Sequence, residues 1–443
     1  MLNLIFKTFD LMKHRARPLP RCLVQTYVKG ILKKQTALLD SAGKFGTPQY
    51  FFDEPALSQR LEQFKATVSR YFDSSRIYYA VKSNPYHGIL RKVLDNGMGL
   101  DVSSGAELSL ALSLHAGEII FSGPGKTFEE LSLAVDHHDR VMLLVDSFGE
   151  LRRLSLVIRQ KELSRNAVRI GVRVRSAGQG IWNRFGIPVN DLKAFLEKAS
   201  ALGHIQVCGL QFHTSWNLNP EAQIRMLDEI NRYVKTRLPA GLTSSLRFLD
   251  IGGGYWPEQG EWLNSRNTVC GQLTQVLDPG YRFDTRHYYR QATPLDSFMK
   301  HLSDHLNRLG PPMSAMEIRM EPGRWIATPA MHILLRVVDK KDYRNVVTDG
   351  GTGMLGWERP MSEYIPVINL TRPYLNEIPL HISGSLCTPL DMWGWSIFGK
   401  SAEPGDILVV PDQGAYTYTL RQAFIKPLSK VIRYDGKTTE ETG

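Results

Sequence analysis

Eight short apolar runs, each followed by a helix-like stretch, constrain this chain more than any other feature. They lie near 77–82 (IYYAVK), 99–103 (GLDVS), 119–123 (IIFSG), 141–146 (VMLLVD), 168–174 (VRIGVRV), 207–213 (VCGLQFH), 248–253 (FLDIGG) and 317–321 (EIRME). Between them, GAELSLALSLHA, TFEELSLAVDHH, DLKAFLEKASALG and EAQIRMLDEINRYVKTRL repeat apolar residues every three or four positions, the period of a helix that buries one face. Thr127 with Glu130 three residues later is a capping-box start. Strands that alternate with helices pair in parallel, and eight such units over about 250 residues close into a (β/α)8 TIM-type barrel.

The rhythm breaks between 254 and 317, where GYWPEQGEWLN and DPGYRFDTRHYYR predict an inserted loop over the barrel mouth, then one helix near 294–309. After Arg324 the texture turns to strands and turns (MHILLRVVDKK, NVVTDGG, YIPVINL, LHISGSLC, GDILVVPDQGAYTYT). The expected organisation is a basic extension over 1–44, a barrel over 45–324 and an all-β domain over 325–443, completed by an early strand near 49–53 (QYFFD).

At 443 residues the chain exceeds most single cores, and 42% apolar with 22% charged residues is the composition of a soluble globular protein. No run approaches the length of a membrane span. Of the net charge of +10, residues 1–44 supply +7, with nine Lys or Arg against two Asp. That tail reads as a short amphipathic helix, either a solvated arm or a segment drawn to an acidic partner or membrane surface. Nothing alternates basic and aromatic residues as a nucleic-acid groove does. Cys22, Cys208, Cys270 and Cys387 stand far apart, which argues against a zinc site or disulfide framework and fits a reducing, cytoplasmic compartment with no metal.

In such a barrel, chemistry gathers at the carboxyl ends of the strands. Those ends are polar here: Lys82, Asp101 and Ser103, Asp146, Arg173, His213, Gly252 to Gly254, then Glu321 and Arg324. Singly, each has a structural explanation, such as a lysine snorkelling to solvent. Their coincidence at one rim asks for a ligand that needs all of them. A triple glycine lets backbone approach a phosphate, and Arg324 adds a forked grip. A pocketed lysine forms a Schiff base with an aldehyde, and pyridoxal phosphate (PLP) supplies both groups. Glu321 would keep a proton on its pyridine nitrogen, and His213 could stack on the ring.

YAVKSNP, GLDVSSGAEL, FSGPGKT, QFHTSWNLN, LDIGGGYW, MEPGRWI, SLCTPLD and GAYTYT resemble, in order, the motifs of PLP enzymes with an alanine-racemase-like barrel (fold type III), nearest the diaminopimelate and ornithine decarboxylases. The resemblance covers about 47–432. It implies that Lys82 carries the cofactor, Glu321 meets the ring nitrogen and His213 lies on the ring. Gly253, Gly254, Gly323, Arg324 and Tyr416 would bind phosphate, with Asp101 and Glu107 supporting lysine and cofactor. Cys387 and Asp391 of the C-x-x-x-D element would enter the site from a neighbouring subunit, making a head-to-tail homodimer. Cys387 would reprotonate Cα after α-decarboxylation to an amine and CO2; from the residues alone it reads as a buried structural thiol.

Substrate choice is where the sequence departs from those relatives. Arg359 in GWERPMSEYIPV matches an arginine for a distal carboxylate, with an interface ion pair as its structural alternative; Tyr364 lies nearby with shifted spacing, and Arg173 completes the expected substrate contacts. Thr388 replaces the acid that holds a distal ammonium in the diaminopimelate enzymes. Trp216 stands where relatives place a phosphate-binding serine, so that contact would move to Ser215. FSGPGKT, EYIPV and LCTPLD look more like the subgroup acting on modified amino acids, including siderophore precursors and carrier-protein-linked aminoacyl groups. The rivals are a PLP-dependent racemase, a non-catalytic PLP binder, and a dinucleotide-dependent oxidoreductase suggested by GTGMLG at 351–356, which lacks the following helix pattern.

Overall fold

The computed structural model describes residues 16–163, 168–176, 183–265, 268, 271, 273, 276–278, 287–356 and 363–442. They form two compact units: Ser58–Pro257 with Thr293–Ile326, and Met1–Leu57 with Glu258–Ala292 and Ala327–Gly443.

In the Ser58–Pro257 unit, eight strands follow the predicted runs: β1 Ser75–Ala80, β2 Gly99–Val102, β3 Ile119–Phe121, β4 Val141–Val145, β5 Val168–Arg175, β6 Ile205–Gln211, β7 Phe248–Asp250 and β8 Glu317–Met320. All neighbours pair in parallel. β8 returns to β1 through Met320 and Ile77, and β4 meets β5 through Leu143 and Ile170, so the barrel is closed. Tyr78, Ile120, Leu144, Cys208 and Phe248 pack as a buried cluster. Several strands stop one to three residues before the apolar run does. Lys82, His213, the glycines and Glu321 therefore stand on the turns beyond the strands, where a barrel exposes side chains to a ligand.

Side-chain caps start the crossover helices. Ser104 accepts the N–H of Glu107, Ser147 that of Glu150, and Thr127 with Glu130 forms the predicted capping box. Glu130 does more than the motif requires: while one oxygen closes the box at 2.9 Å, the other accepts Gly105 N–H at 2.6 Å, fastening two successive helices.

A buried ion pair joins β3, β4 and the helix Phe148–Gln160. The Lys126 ammonium donates to Gly123 O at 2.6 Å, Leu144 O at 2.9 Å and Glu150 Oε1 at 2.8 Å, using all three protons. Burial pushes the lysine down and the glutamate up, and each partner opposes the other's shift. Lys126→Met leaves Glu150 as an unpaired buried charge and is expected to cost about 3–5 kcal/mol. Lys126→Met with Glu150→Leu should recover most of that loss, as read by denaturant midpoints.

The second unit contains a nine-stranded sheet in the order 345–348, 377–383, 392–398, 368–369, 407–410, 331–342, 49–53, 430–434, 439–442. Gln49–Asp53 lies between Met331–Asp342, antiparallel, and Lys430–Tyr434, parallel. The predicted insertion is not a plain loop: Glu261–Leu263 and Tyr288–Arg290 form an antiparallel three-stranded sheet with Arg17–Pro18, inside this unit. Among the described residues no helix is long and apolar enough to cross a membrane. Thr352–Met354 makes a single 3-10 turn, so within the described residues GTGMLG does not open the helix a dinucleotide site requires.

Candidate active site

Lys82 sits on the 3-10 turn Val81–Ser83 directly after β1. Its Nζ stands 2.9 Å from Asp101 Oδ2, and Asp101, fully buried on β2, receives the Ser122 hydroxyl on its other oxygen. Asp101 therefore acts as a fixed anchor for a lysine whose side chain stays about one-third exposed (34%) and reachable. Glu107, in the first turn of the helix after β2, accepts Ser103 N–H at 2.7 Å. Burial, with the nearby Asp101 charge, raises its carboxyl.

β7 and β8 supply the acidic side. Glu321 is buried (2% exposed); one oxygen accepts Gln211 Nε2 at 3.2 Å, and the other, Oε2, has no hydrogen-bond partner among the described residues. Burial first, then the Asp101 and Asp250 carboxylates, push Glu321 well above the usual range. Asp250 ends β7, accepts Gly252 N–H at 2.9 Å, and is itself pushed up to about 6, chiefly by burial.

The triple glycine turns tightly between these acids. A side chain at Gly253 would place its Cβ 2.1 Å from Glu321 O, while Gly254 has φ of +83°, which favours glycine. Asn217 locks the turn, its Nδ2 donating to Gly253 O at 2.7 Å and Thr214 O at 3.2 Å. Gly323 is equally confined, with Ser83 Cβ 2.9 Å from its would-be Cβ, and Arg324 lies 4.4 Å over the Trp256 ring.

His213 follows β6. Burial first, then the positive charges of Lys82 and Arg173, hold its imidazole well below the usual range, so the ring is neutral at neutral pH. Ser215 Oγ lies 3.5 Å from His213 Nδ1. Arg173, near the end of β5, donates to Ser122 O at 3.3 Å and has Asp146 Oδ1 4.0 Å from its Nε. The barrel unit thus gathers Lys82, Asp101, Glu107, Arg173, His213, Ser215, Gly253, Gly254, Glu321, Gly323 and Arg324 on the loops and strand ends of one face.

Ser122, Gln211, Asp250 and Asn217 were not singled out in the sequence, although each lies inside a quoted motif. The available signal was a polar side chain, at the close of an apolar strand or in the loop beyond it, with no water to satisfy it.

The remaining candidates belong to the second unit. Tyr416 has φ of +57° on a turn fastened by Gly414 N–H to Thr328 O at 3.1 Å and Gln413 N–H to Met331 O at 2.6 Å. Cys387 is an exposed free thiol, which corrects the reading of a buried structural cysteine. Tyr364 departs from the expected substrate contact. Its ring stacks with Trp262 and with His287, centroids 6.0 and 3.4 Å away, and its hydroxyl donates to Glu377 at 2.9 Å. Asp391 also departs from that expectation, because its carboxylate is buried and occupied by donors of its own chain. Arg359 lies outside the described residues.

The barrel residues fit the cofactor expected from the sequence. Glu321 Oε2 has no hydrogen-bond partner among the described residues, a place that the ring nitrogen of the cofactor would fill by sharing the proton of the raised carboxyl, and Lys82 is a primary amine within a polar rim.

Comparisons with known proteins agree. Residues 56–328 match the family described as pyridoxal-dependent decarboxylase, pyridoxal binding domain. The diaminopimelate decarboxylase of Methanothermobacter thermautotrophicus is 25% identical over 407 residues, covering 87% of this chain and 86% of its own. The L-glutamyl-[BtrI acyl-carrier protein] decarboxylase of Niallia circulans is 26% identical over 403 residues, covering 84% and 85%. In fold, the chain resembles the crystal structure of diaminopimelate decarboxylase from M. jannaschii in co-complex with L-lysine, with a TM-score of 0.73 over 91% of this chain and 90% of that one at 20% identity. Because the matched segment spans every barrel strand and more than half the chain, this protein belongs to the pyridoxal-dependent decarboxylase family, carboxy-lyases that use pyridoxal 5'-phosphate.

Proposed function

We propose that the chain removes the α-carboxylate of an amino acid as CO2 and returns the amine. When bound, pyridoxal phosphate supplies an electron sink for the pair left at Cα as CO2 departs. Lys82 would hold the cofactor through its amine. Glu321 would hold a proton at the ring nitrogen, and the neutral His213 ring would pack against the cofactor. Gly253, Gly254, Gly323, Arg324 and Ser215 would bind the phosphate, with Asp101 and Glu107 orienting Lys82. Arg173, beside Asp146, orients a substrate carboxylate. The observation that carries this reading is the pairing, on one barrel face, of an accessible lysine amine with a buried acid whose Oε2 has no hydrogen-bond partner among the described residues.

In this reading the cofactor domain is the unit of Ser58–Pro257 with Thr293–Ile326, and the expected bounds of 45–324, 325–443 and 1–44 give way to a second unit of Met1–Leu57, Glu258–Ala292 and Ala327–Gly443. Cys387 is the acid that protonates Cα, contributed by a second copy of the chain in a head-to-tail homodimer within a reducing, cytoplasmic compartment. Its exposure and its place on a tightly built loop support that role. Cys387→Ala is expected to lower amine formation by about 10²- to 10⁴-fold, the usual contribution of a positioned proton donor. Cofactor absorbance should be unchanged. Amine production at the wild-type rate would remove Cys387 from the mechanism.

For the substrate we propose an amino acid whose far end is modified or tethered to an acidic carrier protein. Thr388 after Cys387, the basic N-terminal segment, and a relative named for a carrier-protein-linked glutamyl group support it. CO2 release from free diaminopimelate, lysine, ornithine and arginine, compared with conjugated substrates, tests this. Fast turnover of a free diamino acid would exclude the tethered substrate, and recovery of an inverted enantiomer in place of an amine would mark a racemase.

A further inference from the structure

The loop that carries Cys387 is built around one buried carboxylate. Asp391, 3% exposed, accepts Leu386 N–H on Oδ2 at 2.6 Å, directly before the cysteine. Its Oδ1 accepts Thr352 N–H at 2.6 Å and the Thr352 hydroxyl at 3.0 Å. The backbone closes the same loop, with Gly384 N–H donating to Asp391 O at 3.0 Å and Asp391 N–H to Thr388 O at 3.1 Å. Around it, Ser385 Oγ donates to Asp349 O at 2.8 Å and the Trp393 indole to Gly350 O at 3.0 Å.

Two glycines give the carboxylate its room. A Cβ on Gly384 would stand 2.3 and 2.4 Å from the Asp391 oxygens, and one on Gly351 2.8 Å from Oδ2 and 2.4 Å from Leu386 Cγ. Part of the glycine pattern at 351–356 thus has a cause unrelated to nucleotides: backbone must come close enough for a buried aspartate to bridge 349–352 and 384–391. An exposed reacting group keeps its position only when buried neighbours hold its loop.

We propose that Asp391 is a positioning residue that sets the place of the Cys387 thiol, not a group that touches substrate. This rests on the reading of Cys387 as the proton donor to Cα. In Asp391→Asn the amide presents N–H where Leu386 or Thr352 also presents N–H, so at least one donor pair is forced apart. Thr352→Val removes only the hydroxyl donor and keeps the backbone N–H, so it should fold where the first variant fails.

The full-length, cofactor-loaded enzyme is compared with both variants and with Cys387→Ala. Three quantities are measured: amine formed, kcat against KM, and the pH profile of Cys387 alkylation by iodoacetamide, resolved by peptide mass spectrometry. With cofactor absorbance intact, Asp391→Asn is expected to lower kcat by about 10²-fold, the scale of a 1 Å misplacement, and to move the Cys387 alkylation profile. Thr352→Val should do both to a smaller degree. A raised KM at unchanged kcat would make Asp391 a substrate contact and overturn the proposal, as would an alkylation profile identical to wild type in a folded variant. If Cys387→Ala leaves amine formation intact, the proton-donor reading fails instead, and the alkylation profile alone decides whether Asp391 positions the thiol.

Discussion

Lys82→Ala is expected to lower decarboxylation on the order of 10⁴-fold or more, the scale seen when the covalent residue of an active site is removed. The geometry explains why no neighbour substitutes. The Lys82 ammonium is anchored 2.9 Å from Asp101, and that aspartate is itself fixed by Ser122 behind it. Lys126, the other lysine of the family motifs, is buried with all its protons committed. Lys82→Arg separates the two roles a lysine could have. A guanidinium preserves the charge beside Asp101 but cannot make the covalent link. Both variants should be inactive by CO2 release; an arginine variant keeping more than about a tenth of wild-type activity, a loss of less than about 1.4 kcal/mol in barrier terms, would make Lys82 an electrostatic residue only.

Glu321→Gln is expected to lower activity by about 10²- to 10³-fold, the cost of removing one preorganised electrostatic group. A glutamine fills the same space and can still meet Gln211, but it cannot hold a proton on a ring nitrogen. The same acids make a statement about pH. A carboxyl whose folded pKa is raised keeps its proton longer in the native than in the unfolded chain, so stability falls as pH rises through the interval between the two values. For Asp250 that interval runs from 3.8 to about 6. The cofactor-free protein should lose thermal stability across it, and Asp250→Asn should flatten the slope. Melting temperatures measured from pH 4 to pH 7 check this; parallel curves for the two proteins would contradict it.

The barrel was legible because alternation survives in one dimension: each of the eight runs overlaps one of the barrel strands. Strand ends were less legible, since Val81 and Ile251 are apolar and buried although they lie on turns. Within the site, the motifs offered Lys82, His213 and Glu321 by residue type but not Ser122, Gln211, Asp250 or Asn217, and pairings between motifs were not legible. Lys126 with Glu150, Glu321 with Gln211 and Asn217 with Gly253 each join separate strand-to-helix turns. Asp391 illustrates the limit. Its spacing from Cys387 marked it, but its work depends on Thr352, a contact no local pattern announces.

The central claim is that Lys82 is the covalent seat of the cofactor. The direct measurement is borohydride reduction of the holoenzyme, followed by digestion and mass spectrometry of the lysine peptides. The account predicts the reduced cofactor on the peptide containing Lys82, with loss of the coloured absorbance. An adduct on a different lysine, or unmodified Lys82 in fully loaded, active enzyme, would contradict it.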